Sequence, residues 1–283
     1  MSQVDPGQER LAGRLFPYVV LVVGLSCVAA CAVLMLVNHH PIKTIALLTV
    51  PLIVIIARFP MVLDRGDGGI EVGFDSSILM FLLCTAPLEQ AVVFWALGVV
   101  LTQATADKRP VYKAFNIGVG TIGGAVSALM ITLVRGSHTG TPRELLGVFL
   151  AATAYFFIDF LITALYIHLQ RGDPLRELLL QRGTLIAVGC FVPFDSLGYL
   201  GAVVVRALPG WTLILLAVPL ATLLVATRAV VRGTENARRL TVLFDAAVRA
   251  QTLSTPEAVV ESMTEDARLL LRLASVEVRQ DPP

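Results

Sequence analysis

LLGVFLAATAYFFIDFLITALYIHL, residues Leu145–Leu169, decides the fold. It is long enough to cross a bilayer, because about 20 apolar residues span the hydrocarbon core. It also carries one carboxylate, Asp159, near its middle. A charge at the centre of a spanning helix costs roughly 2.5–3.5 kcal/mol on insertion scales. Either the chain is a membrane protein with Asp159 turned towards a protein interior, or the stretch is no membrane span. The remaining residues choose between these.

The composition is 56% hydrophobic and 15% charged, against about 45–50% and 25% in globular domains. Mean hydropathy is +0.78. The excess sits in long blocks, which is a membrane pattern. The net charge of +1 offers no bulk attraction for nucleic acid. Cys27, Cys31, Cys84 and Cys190 lie inside apolar blocks and read as small buried hydrophobes.

Outward from the opening stretch, the blocks follow one another along the chain. Leu15–Val37 has no charge and is too long for a cleaved signal core, so it reads as an uncleaved helix. Val28-Ala29-Ala30-Cys31 resembles a lipoprotein cleavage box, but the apolar run continues past the cysteine. Ile42–Phe59 is a second span, followed by a Gly/Asp loop, Met61–Gly73. Phe74–Ala106 is divided by Pro87 into spans near 75–86 and 89–105, with Glu89 by the turn. Lys113–Val134, Leu145–Leu169, Gly183–Leu208 (broken by Pro193) and Trp211–Val231 complete eight spans. The fold class expected is an all-α polytopic membrane bundle with a short cytoplasmic helical tail.

With eight spans, the loops holding Arg58/Arg65, Lys108/Arg109/Lys113 and Arg171/Arg176/Arg182 fall on one side with both termini. Lys43, Arg135/Arg143 and Arg206 fall on the other. The first side is richer in Lys and Arg, so it is expected to be cytoplasmic, in an inner membrane.

Beyond a membrane domain at 1–231, Ala237, Leu240, Phe244 and Ala247 have heptad-like spacing. A linker helix at 232–253 therefore suits a parallel homodimer. Ser254-Thr255-Pro256-Glu257 is a helix start of the capping-box kind. Residues 254–283 are too short to bury a core of their own and resemble the opening of a GAF domain, incomplete here.

Polar residues inside spans are functional candidates by default. Asp159 has Tyr155 and Thr163 one turn either side, and Asp195 follows Pro193. Asn116 lies on a face shared with Gly120 and Gly124, whose G-x-x-x-G spacing suits close helix packing. Asn116, Asp159 and Asp195 are expected to meet in the bundle interior as a site for a ligand or ion, with structural hydrogen bonding as the plainer alternative. His39, His40 and His138 fall on the outer side and read as solvated rather than as a metal set. No phosphate loop, H-E-x-x-H or G-x-S-x-G occurs. No cofactor, metal or enzymatic activity is expected.

Ala114-Phe115-Asn116 opening a Gly/Ala-rich span, Tyr155–Leu165 with a polar residue at 159, and Arg171-Gly-Asp-Pro-Leu-Arg176 before a Pro-broken span form an ordered set. With the helix at 232–253, they resemble the membrane-associated sensor (MASE-like) domains ahead of bacterial GGDEF, EAL or HD-GYP cyclic-di-GMP enzymes and some histidine kinases. The resemblance covers roughly 70–253. It implies a sensory input module whose partners are the bilayer and a cytoplasmic output domain. Such relatives usually carry Asn near 159, and Asp159 departs from that, so no shared role carries over to it. The rival readings are a small transporter using Asp159/Asp195 and a scaffold without a ligand.

Overall fold

The computed structural model describes residues 11–58, 61–63, 70–73, 75–136, 139–172, 174–175, 182–215 and scattered positions from 218 to 248. The chain divides into two compact units, Met1–Ala221 and Thr222–Pro283. Described positions of the second unit are helical. The GAF-like start at 254–283 and His138 lie outside the described residues, as does much of the expected linker helix and last span.

The first unit is helical apart from one small hairpin. Its elements are α1 (Leu11–Asn38), α2 (Thr44–Ile56), β1 (Met61–Leu63), β2 (Ile70–Val72), α3 (Ser76–Thr85), α4 (Leu88–Thr105), α5 (Pro110–Arg135), α6 (Pro142–Arg171) and α7 (Arg182–Ala207). β1 and β2 pair antiparallel, Met61 opposite Val72 and Leu63 opposite Ile70, within the segment read as loop. Stretches of α1, α4, α5 and α6 are long and apolar enough to cross a membrane. Their outward faces carry large apolar side chains, among them Val19, Val22, Val33, Leu101, Leu133 and Phe157. Lipid is the solvent that suits such a surface. Among the described residues, four helices are thus long and apolar enough to cross a membrane, and the eight expected spans are not all seen.

Pro87 does divide 74–106. Its missing N–H cannot continue the helix, and α3 ends at Thr85 before α4 begins at Leu88. Pro193 does not break its segment, since α7 runs through it from Arg182 to Ala207. Neighbouring helices in a bundle support a proline inside a helix that would fail in isolation.

The ends of the helices are tied in two sets. At one end, Asn38 Nδ2 donates to Glu89 Oε1 at 3.2 Å, Gln90 to the His40 carbonyl at 2.9 Å, and Lys43 Nζ to the Thr85 carbonyl at 2.8 Å. At the other, Asn116 donates to Gln103 at 3.2 Å and Lys113 to the Ala104 carbonyl at 3.3 Å. Phe115 and Tyr166 stack there at 4.6 Å, with Phe16 beside them. The helices therefore alternate in direction from α1 to α6.

Glycines set the closest approaches. A Cβ on Gly118 would lie 2.6 Å from the backbone of Val20 and Leu21, and one on Gly24 2.8 Å from the Gly118 carbonyl. α1 and α5 thus cross backbone to backbone. Gly120 and Gly124 face α4: added Cβ atoms would meet Val99 at 3.1 Å and Trp95 at 2.5 Å. Gly118→Ala is expected to destabilise the bundle by about 1–3 kcal/mol, because main chain must move. Thermal unfolding in detergent checks this, with Gly233→Ala, where a Cβ meets nothing within 4 Å, remaining at the wild-type temperature.

Candidate functional site

α3 has 10 residues, about 15 Å of helix, half of a bilayer core about 30 Å thick. Its C-terminal carbonyls are held at the loop end. Arg135 Nη1 donates to Leu83 O at 3.2 Å, and Arg206 Nη2 donates to Cys84 O. Its N-terminus therefore starts deep in the bundle. Ser77 lies against Gly198 of α7, whose missing side chain lets the two backbones touch. Tyr155 lies 11 residues, about 16 Å, along α6 from Glu144, at a similar depth.

Three carboxylates lie near this level. Asp75 occupies the N-cap of α3, and Asp195 of α7 accepts a hydrogen bond from Ser76 Oγ at 2.8 Å. Asp75 lies within electrostatic reach of both Asp195 and Asp159, and Tyr155 within reach of all three. Tyr155 packs edge-on to Trp95 at 5.8 Å, and the indole N–H of Trp95 donates to Gly120 O at 2.8 Å. Gly123 and Gly124 are bare because the two rings press on them. The surroundings are graded: Asp159 is exposed, Asp75 half-buried and Asp195 only 2% exposed. The second oxygen of Asp195 has no hydrogen-bond partner.

The expected trio is corrected in two respects. Asn116 is not in the group. It sits two turns from Gly123 on α5 and bonds Gln103 of α4 at the opposite end. Asp159 is exposed rather than enclosed. Asp75 takes the place of Asn116. Its signal was a carboxylate interrupting an apolar run, directly before a serine pair. Thr163 is half-buried, one turn beyond Asp159.

A second polar centre was missed in the sequence, where Arg135–Glu144 reads as loop. α6 begins at Pro142, so Glu144 is in its first turn, with no exposed surface. Arg206 grips it with two nitrogens, 2.7 and 2.9 Å away. Arg135 Nη1 adds a contact at 3.4 Å and the Gly140 N–H one at 2.7 Å. This centre joins the ends of α3, α5, α6 and α7. Among the described residues, no three His, Cys, Asp or Glu side chains are placed to hold a metal ion.

Glu144 loses charge-assisted hydrogen bonds on substitution, while the partly exposed Arg206 can still be solvated. Glu144→Gln is expected to lose about 1–3 kcal/mol in unfolding measured in detergent. Asp159→Asn, which removes a mid-span carboxylate with no arginine bonded to it among the described residues, should not lose stability on that scale.

Comparison with protein-family models, with curated proteins and with solved structures finds no match to this chain.

Proposed function

We propose that the chain is the membrane-embedded sensory input module of a bacterial signal-transduction protein. The observation that carries the reading is the group of Asp75, Asp159 and Asp195 around Tyr155, halfway through an apolar bundle. Carboxylates at that depth are costly, and they occur where a ligand, an ion or a moving part compensates them. A second compact unit, Thr222–Pro283, follows the bundle and would receive the signal. Binding at mid-bundle would bias two arrangements of α3 and α7, and the helix at 232–253 would carry the bias to a cytoplasmic output as a population shift.

On this reading the protein lies in the inner membrane with about eight spans and both termini in the cytoplasm, forms a homodimer through 232–253, and has no enzymatic activity or nucleic-acid partner. The orientation follows from the loop charges. It is supported by the Glu144 centre, which engages Arg135 and Arg206 at the end assigned to the outside. The resemblance to membrane-associated sensor domains supports the same class of output, with 254–283 as the start of a GAF-like domain.

One observation favours a second reading, a small transporter. A half-length helix starting at mid-membrane beside charged groups is the element from which transporter sites are built.

Fusing the full chain to a dimerisation-dependent reporter tests the choice. Output that changes with pH, ions or small molecules, and that changes further in Asp195→Asn, is the expected result. A reporter indifferent to every condition would favour a scaffold. Flux into proteoliposomes that Asp159→Asn abolishes would replace the sensor by the transporter.

A further inference from the structure

The bundle contains two treatments of a carboxylate removed from water. Glu144 is matched by two guanidiniums and a backbone N–H. Among the described residues, Asp75, Asp159 and Asp195 are not matched in this way. The described groups acting on them are one another, Ser76 and backbone N–H donors, with no basic side chain among them.

We infer that the start of α3 is a binding site for an exchangeable small monovalent cation, a proton or an alkali ion, held by Asp195 and Asp75, with Asp159 at the edge of the site. Asp195 is closed from solvent, one of its oxygens is bonded to Ser76, and the other is free of any hydrogen-bond partner. That free oxygen is the atom that takes the cation. Backbone N–H groups at the start of a helix offer about half a positive charge, too little for three carboxylates. Inside a low-dielectric bundle, unpaired like charges require a compensating positive charge or a proton.

The cation is small and monovalent for a geometric reason. Multivalent metal ions need several converging charged or oxygen ligands, and no three acidic, His or Cys side chains converge among the described residues. The groups facing the site are Asp75 and Ser76 from α3, Tyr155 and Asp159 from α6, and the uncharged Trp95 of α4 behind Tyr155.

This inference names the input of the sensory reading and rests on the membrane placement of the bundle, not on any output. Cation binding can therefore be measured by itself. The chain has two tryptophans, so Trp211→Phe leaves Trp95, edge-on to Tyr155, as the only indole reporter. The full-length W211F protein in liposomes is stepped in pH without Na+, and then in Na+ at fixed pH and ionic strength. Trp95 emission and the infrared band of protonated carboxyl groups are both followed.

A response of both signals to pH, lost in W211F/D195N and in W211F/D75N, is expected. If Na+ and protons compete for the same oxygens, the midpoint moves by about one pH unit per tenfold change in Na+. A pH response with a fixed midpoint assigns the site to the proton, and a Na+ response alone assigns it to the alkali ion. Silence of both signals to both cations overturns the inference, as does a response undiminished in both aspartate variants. If D195N does not fold, D75N and D159N carry the comparison. A clear cation response with a mute reporter fusion keeps the site and overturns the sensory reading instead.

Discussion

Glu144 has no exposed surface, and the hydrogen bonds it accepts come from three parts of the bundle's loop end. Arg206 arrives on α7, Arg135 on α5, and Gly140 from the turn before α6. The same arginines reach past it to the last carbonyls of α3. Leu83 and Cys84 are buried, so these carbonyls have no water to bond, and an unsatisfied buried polar group costs several kcal/mol. One buried carboxylate thus holds two arginines in place, and those arginines allow a helix of 10 residues to end there. The depth at which α3 begins follows from this anchoring.

That depth makes the carboxylate group possible. A full-length α3 would begin at the opposite surface, and Asp75 would be solvated. Because α3 is short, Asp75 and the serine pair lie at the level of Asp195, Tyr155 and Trp95. Gly198 allows α7 to touch α3 there, while Gly123 and Gly124 make room for the two rings. Small residues therefore act twice in this fold, bringing backbones together and admitting aromatic side chains.

The plain features of the fold were legible in the residues. The apolar blocks, the break at Pro87 and the small-residue face of α5 follow from local chemistry: hydropathy, a missing N–H, absent side chains. Pro193 misled for a matching reason, because its cost depends on neighbours that local chemistry does not contain. Asn116 was placed with the aspartates on the strength of a shared helical face. Residues on one face but two turns apart are about 10 Å apart along the axis, so Asn116 meets α4 at one end while Gly123 meets Tyr155 at mid-bundle.

By itself, the sequence determined that this is a helical membrane chain and that carboxylates are kept within its apolar blocks. Those properties depend on the solvent each residue prefers and need no knowledge of partners. Only the tertiary structure decided which carboxylates are neutralised. Glu144 looked like a loop residue and is clamped by two arginines, one of them 62 positions away. Asp159 looked enclosed and is exposed. Asp75 and Asp195, 120 residues apart, share the start of one short helix. Compensation of a buried charge is a property of what surrounds it in space, and those surroundings come from distant parts of the chain.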